Sequence, residues 1–455
     1  MLSIWEILDL AETGPYCSEK DFDLKIIAKK CKELVKEYNI KFDRDVLVTS
    51  DNQLADKVFE AGLKLAVEAG IYCIDTKRII KLTEEQIKEG IETAPKELVV
   101  GRGKDSRILY ARKIEDSRYA ITMGGQAGAP IPESWYLPMA LSYMKEPLID
   151  TINHGGLAEV EGRKFKTRSP LEIHATRREL RMLREAAKRA GRPGIHLLAG
   201  ESSVTCLGDL AIASEEYMRT SDAHLIAILN EMKTDYDRLA KAVNFTEYGA
   251  INVTLVDPII GGYAGGPEGV AVNFVASYLL GRIIYQSQYH ICHPIHFKYV
   301  STSAPEGLWC LNIVGQAMAR NTDFIIMGDV WTSAGAGTEM IFYEIAANTI
   351  VNVVTGTHPL GVSATNGTYP HASGLETRFM AEVARAAVKA GIKRDEANEI
   401  VVKLVKKYVD KQEKPDIGKP FPELYDINKV VPREWWLKLY RKMKSEIAEL
   451  TGLPL

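Results

Sequence analysis

Apolar residues recur at helical spacing in the first part of the chain. Leu24, Ile27, Cys31, Leu34 and Val35 sit between lysines and glutamates. The same period runs through Ala55 to Ala69 and Thr83 to Thr93, and predicts a helical N-terminal segment with no strand before Val99. The rhythm then changes. Short β-rich runs at Tyr119 to Met123, Ile149 to Asn153, Ile195 to Leu198, His224 to Leu229, Ala250 to Leu255, Pro294 to Val300, Phe324 to Met327 and Ile350 to Val354 predict eight strands. Helices are predicted in the later intervals, at Lys233 to Val243, Val270 to Tyr289, Glu306 to Arg320, Glu339 to Asn348 and Glu376 to Ala390.

This alternation predicts an α/β protein, a closed (β/α)8 TIM barrel in preference to an open sheet. The predicted division is an N-terminal helical extension over 1–110 packed on the barrel, the barrel over 111–410, and C-terminal helices over 411–455. A hairpin is expected around Ala158 to Lys166. The Pro/Lys-rich stretch Gln412 to Pro422 reads as a surface connection.

Composition narrows the function classes. A formal charge of −3 with no polybasic cluster gives no footprint for nucleic acid or a membrane surface. Apolar runs are interrupted well before the ~20 residues of a membrane span. The first residues lack a signal-peptide pattern. Six cysteines are scattered without a Cys-x-x-Cys pair, the usage of reduced thiols. A cytoplasmic protein is expected.

In a barrel the chemistry lies at the C-terminal ends of the strands. Those ends carry Glu201, Asn230-Glu231, Leu255-Val256-Asp257, Asp329 and Trp331. Asp329 and Trp331 are two apart, so both side chains can face the barrel mouth; a loop carboxylate and a packing tryptophan are the plain alternatives. His290, His293 and His296 are spaced by three with Cys292 among them, which metal ligands can be. A turn from helix into strand at Tyr289 to Pro294 would separate the imidazoles, leaving structural histidines or one pocket histidine. Arg177, Arg178, Arg181 and Arg184 form a basic stripe, read as a solvated face paired with Glu179 and Glu185, or else as a dock for an acidic partner. The densest glycine run, Gly261-Gly262-Tyr263-Ala264-Gly265-Gly266, marks a loop where something approaches the main chain closely. It has neither a Gly-Lys-Ser/Thr phosphate loop nor dinucleotide spacing, and no Gly-x-Ser-x-Gly elbow occurs.

At this loop the sequence resembles a known family. Ile260 to Gly266 and Ala190-Gly191-Arg192-Pro193-Gly194 are similar to the archaeal monomethylamine:corrinoid methyltransferases. So are Gly70-Ile71-Tyr72-Cys73, Leu229-Asn230-Glu231, Gly337-Thr338-Glu339-Met340, Glu376-Thr377-Arg378 and Glu382 to Ala386, in order over nearly the whole chain. The resemblance implies a (β/α)8 barrel in a homo-oligomer that moves a methyl group from an amine to the cobalt of a corrinoid on a separate protein. It also implies a pyrrolysine in the barrel mouth. Counted from Gly194, that position falls on Leu198. The family's neighbouring carboxylates, glutamine and tyrosine fall on Leu225, Leu255, Asp329 and Trp331.

The reading is therefore a pyrrolysine-independent methyltransferase for a methylated amine-type donor, with a corrinoid partner protein and no metal of its own. Asp329 is the expected catalytic group. Leu198, Glu201, Leu225, Leu255, Tyr263, Trp331 and His296 are the expected substrate contacts, and Gly261, Gly262, Gly265 and Gly266 the frame next to the cofactor. A repurposed barrel that binds a ligand or partner without chemistry is the second reading. A metal-dependent barrel using His290, His293 or His296 is the third.

Overall fold

Eight parallel strands close into a barrel in the computed structural model, which describes residues 1–455. The strands are β1 (Met123–Gly124), β2 (Thr151–Asn153), β3 (Leu197–Leu198), β4 (Ala223–Ile228), β5 (Ile251–Val256), β6 (Tyr289–Cys292), β7 (Ile326–Val330) and β8 (His358–Gly361), and β8 pairs back onto β1. Each is followed by a helix: α1 (Glu133–Met144), α2 (Pro170–Arg189), α3 (Cys206–Ile212), α4 (Tyr236–Tyr248), α5 (Pro267–Ile284), α6 (Pro305–Asn321), α7 (Met340–Thr355) and α8 (Gly374–Ala390). Proline opens α2, α5 and α6, where its missing N–H has no intrahelical acceptor to satisfy.

Two predicted strands lie elsewhere. The run Ile350 to Val354 is the last part of α7, although its β-branched residues favour a strand. Every residue of α7 is buried, so packing on all sides overrides that preference. The eighth strand is instead His358–Gly361. The sixth strand is Tyr289–Cys292, upstream of the expected Pro294 to Val300. Pro294 cannot donate to a ladder, and the chain leaves the barrel there. Ile295–His296 pairs with Ile259–Ile260 in a separate two-stranded sheet.

The N-terminal segment is largely helical as expected, including the helix Asn52–Ala69, but it contains four strands the periodicity does not show, of which Glu97–Val100 and Arg107–Tyr110 form an antiparallel pair. Ile71–Cys73 pairs antiparallel with Arg78–Ile80 and parallel with Lys233–Thr234, beyond the end of β4. The helix Asn52–Ala69 packs on α5 and α6, and its apolar face joins the main core. A second apolar cluster fills the barrel interior, including Met123, Leu198, Ala223, Val253, Ile291, Met327 and Leu360.

The basic stripe on α2 is only partly a solvated face. Arg184 is buried in an ion pair with Asp222, and Glu179 is buried on the barrel side, so neither makes the expected surface pairing. The anticipated hairpin is a single antiparallel bridge between Val160 and Arg163. Gln412, expected on a surface connection, is buried, with its amide 3.1 Å from Ser303 Oγ. No helix is long and apolar enough to cross a membrane.

Candidate active site

A cavity of about 380 Å³ opens at the C-terminal ends of the strands. Four successive strands each send an i, i+2 pair into it, because side chains of the same parity share one face of a strand. The pairs are Leu225 and Ala227 from β4, Leu255 and Asp257 from β5, Ile291 and His293 from β6, and Asp329 and Trp331 from β7. Leucine and isoleucine make the walls apolar. The polar groups come just beyond the strand ends.

Asp329 is buried and fully engaged. Its Oδ2 lies 2.6 Å from His293 Nδ1, and its Oδ1 accepts a hydrogen bond from Ser363 Oγ at 2.7 Å. The His293 ring meets Trp331 edge to face, with centroids 4.2 Å apart. Thr302 Oγ1 accepts from the Trp331 amide at 3.0 Å, which fixes the backbone of this strand end. Three buried polar atoms of cavity-lining residues have no partner: His293 Nε2, Trp331 Nε1 and Asn153 Oδ1. Buried groups left unpaired cost ~1–3 kcal/mol each, and these three belong to residues that line the cavity.

Glu201 follows β3 on a short loop held from behind. Glu179 of α2 accepts from the amides of Gly200 and Ser202, both at 2.8 Å. The Glu201 carboxyl accepts from the Gly128 amide at 3.1 Å. It borders the cavity and is half-buried, and desolvation together with the charges of Glu179 and Asp329 pushes it up to about 8. Burial also pushes Asp257 up to about 6, with His293 pulling the other way. Across the mouth, α4 supplies Lys241, which pairs with Asp209 at 2.5 Å, and Arg238, which pairs with Asp235 at 2.6 Å. Glu201 and Asp257 are the cavity carboxyls without an ion-pair partner.

The family model described as "Monomethylamine methyltransferase MtmB" matches residues 2–453. The chain belongs to this methyltransferase family. It is 33% identical over 448 residues to monomethylamine methyltransferase MtmB2 of Methanosarcina acetivorans, covering 98% of this chain and 97% of the relative. MtmB of Methanosarcina mazei is 32% identical over the same length. The crystal structure of the Methanosarcina barkeri monomethylamine methyltransferase superposes with a TM-score of 0.95 at 32% identity, over 99% of this chain and 98% of that one.

Against this MtmB-type barrel, the residues named from sequence separate into two groups. Asp329, Trp331, Glu201, Leu225 and Leu255 line one cavity. Leu198 does not: at 1% exposure it is the last residue of the short strand β3 and packs in the barrel interior. Tyr263 is 46% exposed and is not part of the cavity wall. His296 lies outside the cavity in the small sheet, stacked on Tyr299. Gly261, Gly262, Gly265 and Gly266 also lie outside it, in a tight turn where Gly261 N–H donates to Gly265 O at 2.8 Å. That turn is held by Glu231, whose carboxylate accepts from the Ala264 amide. A Cβ on Gly262 would come within 2.6 Å of the same carboxylate. The close approach expected of this glycine run is thus to Glu231.

The three histidines do not gather. His290 faces outward between Tyr278 and Phe324, His293 faces the cavity, and His296 is in the small sheet. Asp257, Arg238, Lys241, Asp209 and Asn153 are cavity residues to which the sequence reading gave no role. The parity rule would have found Asp257 from Leu255 and His293 from Ile291. Nothing local could have found the α4 pair, because Arg238 and Lys241 read as an ordinary amphipathic helix.

Proposed function

We propose that this chain moves a methyl group from a methylated cation, such as a quaternary ammonium, to the cobalt of a corrinoid carried by a separate protein, without pyrrolysine. The observation that carries the reading is the pairing in one cavity of apolar walls and an indole with two carboxyls, Glu201 and Asp257, that have no ion-pair partner. A methylated head group loses little on leaving water and gains from both: contact with Trp331 is worth ~0.5–2 kcal/mol, and the carboxyls supply the balancing charge.

Such a donor needs no covalent activation, because nitrogen departs as a neutral amine when the cobalt attacks carbon. This fits position 198. Leu198 carries no electrophile, and the space around it is filled by barrel-core side chains. The residues here do not suit a pyrrolysine.

The test is methyl transfer from a panel of quaternary ammonium and sulfonium donors to cob(I)alamin, followed by the absorbance of the methylated product. Transfer from at least one is expected. No transfer from any of them, with folded protein, would sink the reading.

A further inference from the structure

Arg238 lines the cavity with hydrogen-bonding capacity to spare. Its Nη1 donates to Asp235 Oδ2 at 2.6 Å, while Nε and Nη2, the side-on fork of the guanidinium, make no hydrogen bond within the protein. Its charge is felt in the ligand space: desolvation pushes Asp257 up to about 6, and Arg238 is among the charges that pull it back. Arg238 lies in the first turn of α4, whose free amides add partial positive charge. Lys241 follows about one turn later, paired with Asp209 at 2.5 Å. The ends of β5 and β6 separate this basic side of the mouth from Trp331, which follows β7.

A methylated head group leaves part of this cavity unused. A quaternary nitrogen has neither a hydrogen to give nor a lone pair to accept with. It therefore leaves Trp331 Nε1 and Asn153 Oδ1 unpaired, and it offers nothing to Arg238. Nor does one nitrogen with its methyl groups fill about 380 Å³, a volume in the range that holds whole ligands. The rest of the donor must carry a group of its own, and a guanidinium, which can only donate, selects an anionic acceptor.

We propose that the methyl donor is a zwitterion, with its methylated ammonium against Trp331 and a carboxylate on the free fork of Arg238. The inference rests on the methylated-cation reading above and narrows its substrate class. A carboxylate meets the Nε–Nη2 edge with two parallel hydrogen bonds, a geometry that a neutral amide or hydroxyl does not reproduce. The carboxylate does not react, and the amine that leaves still carries it. Its contact is thus the same in the ground state and the transition state, so it strengthens binding and leaves the chemical step alone.

The test uses ligands matched in length: a trimethylammonium carboxylate, its carboxamide, and a trimethylammonium alkane with neither group, each over a series of chain lengths. By calorimetry the wild-type protein should bind the best carboxylate roughly 10- to 100-fold more tightly than its carboxamide, the scale of a charged two-point contact. Arg238→Met keeps an apolar stem and removes the fork. It should erase that preference and leave affinity for the alkane within about 2-fold, because the stem still covers the wall. In methyl transfer to cob(I)alamin the same substitution should raise KM for the carboxylate and leave kcat nearly unchanged. A wild-type protein with no preference for the carboxylate, or a preference that survives Arg238→Met, would overturn the proposal. If the variant does not fold, the wild-type comparison of the ligands decides alone. Binding of the alkane without any gain from the carboxylate sinks only the zwitterion, whereas no binding by any of the ligands removes the parent reading.

Discussion

Gly128 lies against Trp331 so closely that a Cβ built on it would come within 2.4 Å of the indole Cη2. Its φ of +85° already favours glycine, and its amide donates to Glu201. One residue therefore seats both the aromatic wall and the carboxyl of the cavity. Gly128→Ala should displace Trp331 and the Glu201 contact together, at a cost of about 1–3 kcal/mol for overpacking. Titration of a quaternary ammonium ligand followed by tryptophan fluorescence should show weaker binding with little change in the far-ultraviolet spectrum. Unchanged affinity would refute the link.

The indole face itself makes a separate prediction. Trp331→Leu keeps the wall apolar while removing the ring. Affinity for a quaternary ammonium should drop by ~0.5–2 kcal/mol, and affinity for a neutral ligand of the same shape should hardly move. Calorimetry on the matched pair reads the difference.

Binding should be linked to protons. Burial holds Glu201 up near about 8 and Asp257 near about 6 in the empty cavity, so the Glu201 carboxyl is mostly neutral at pH 7. A bound cation favours both carboxylates and lowers these values, so protons are released on binding. Affinity should therefore rise as pH increases from about 6 to about 8 and level off above. For the empty protein the sign is opposite. A carboxyl whose folded value is raised favours folding at low pH, and that contribution is lost as pH climbs through the folded value. Calorimetry in two buffers of different ionisation enthalpy counts the released protons. Glu201→Gln should abolish the upper limb of the pH dependence.

Glu179 accepts two backbone amides that frame Glu201, and it is fully buried. Glu179→Leu leaves both amides unpaired and should lower stability by about 2–6 kcal/mol, at ~1–3 kcal/mol for each. A thermal melt measures this. Loss of ligand binding in the folded fraction should accompany it, because the loop that aims Glu201 has lost its support.

Leu198 provides the contrast. It pads the barrel interior rather than the cavity, so Leu198→Ala should cost about 2–5 kcal/mol of stability through the void it leaves. Ligand affinity in the folded protein should be little changed. A large loss of affinity without loss of stability would show that this position contacts the ligand after all.

The strands that the alternation revealed were those with a clear apolar run between turn residues, such as Ile251–Val256 and Ala223–Ile228. The failures had one cause. The β-branched run at Ile350 to Val354 and the aromatic run after Pro294 satisfy a strand's local preferences, but what surrounds them in space decides otherwise. The glycine run was legible as a place of close approach, yet the group it approaches is Glu231, 31 positions upstream of Gly262 by their numbers and brought there by the barrel.

By itself, the sequence determined the barrel class, the family and the inward parity of Asp329 and Trp331, because periodicity and strand-end position are local properties of the chain. Only the tertiary structure decided that His293 lies against Asp329, that Glu179 anchors the loop carrying Glu201, and that Leu198 and Tyr263 stand outside the cavity. Those relationships join elements that lie far apart in sequence or depend on which strand ends where. Closing eight strands into a ring sets both.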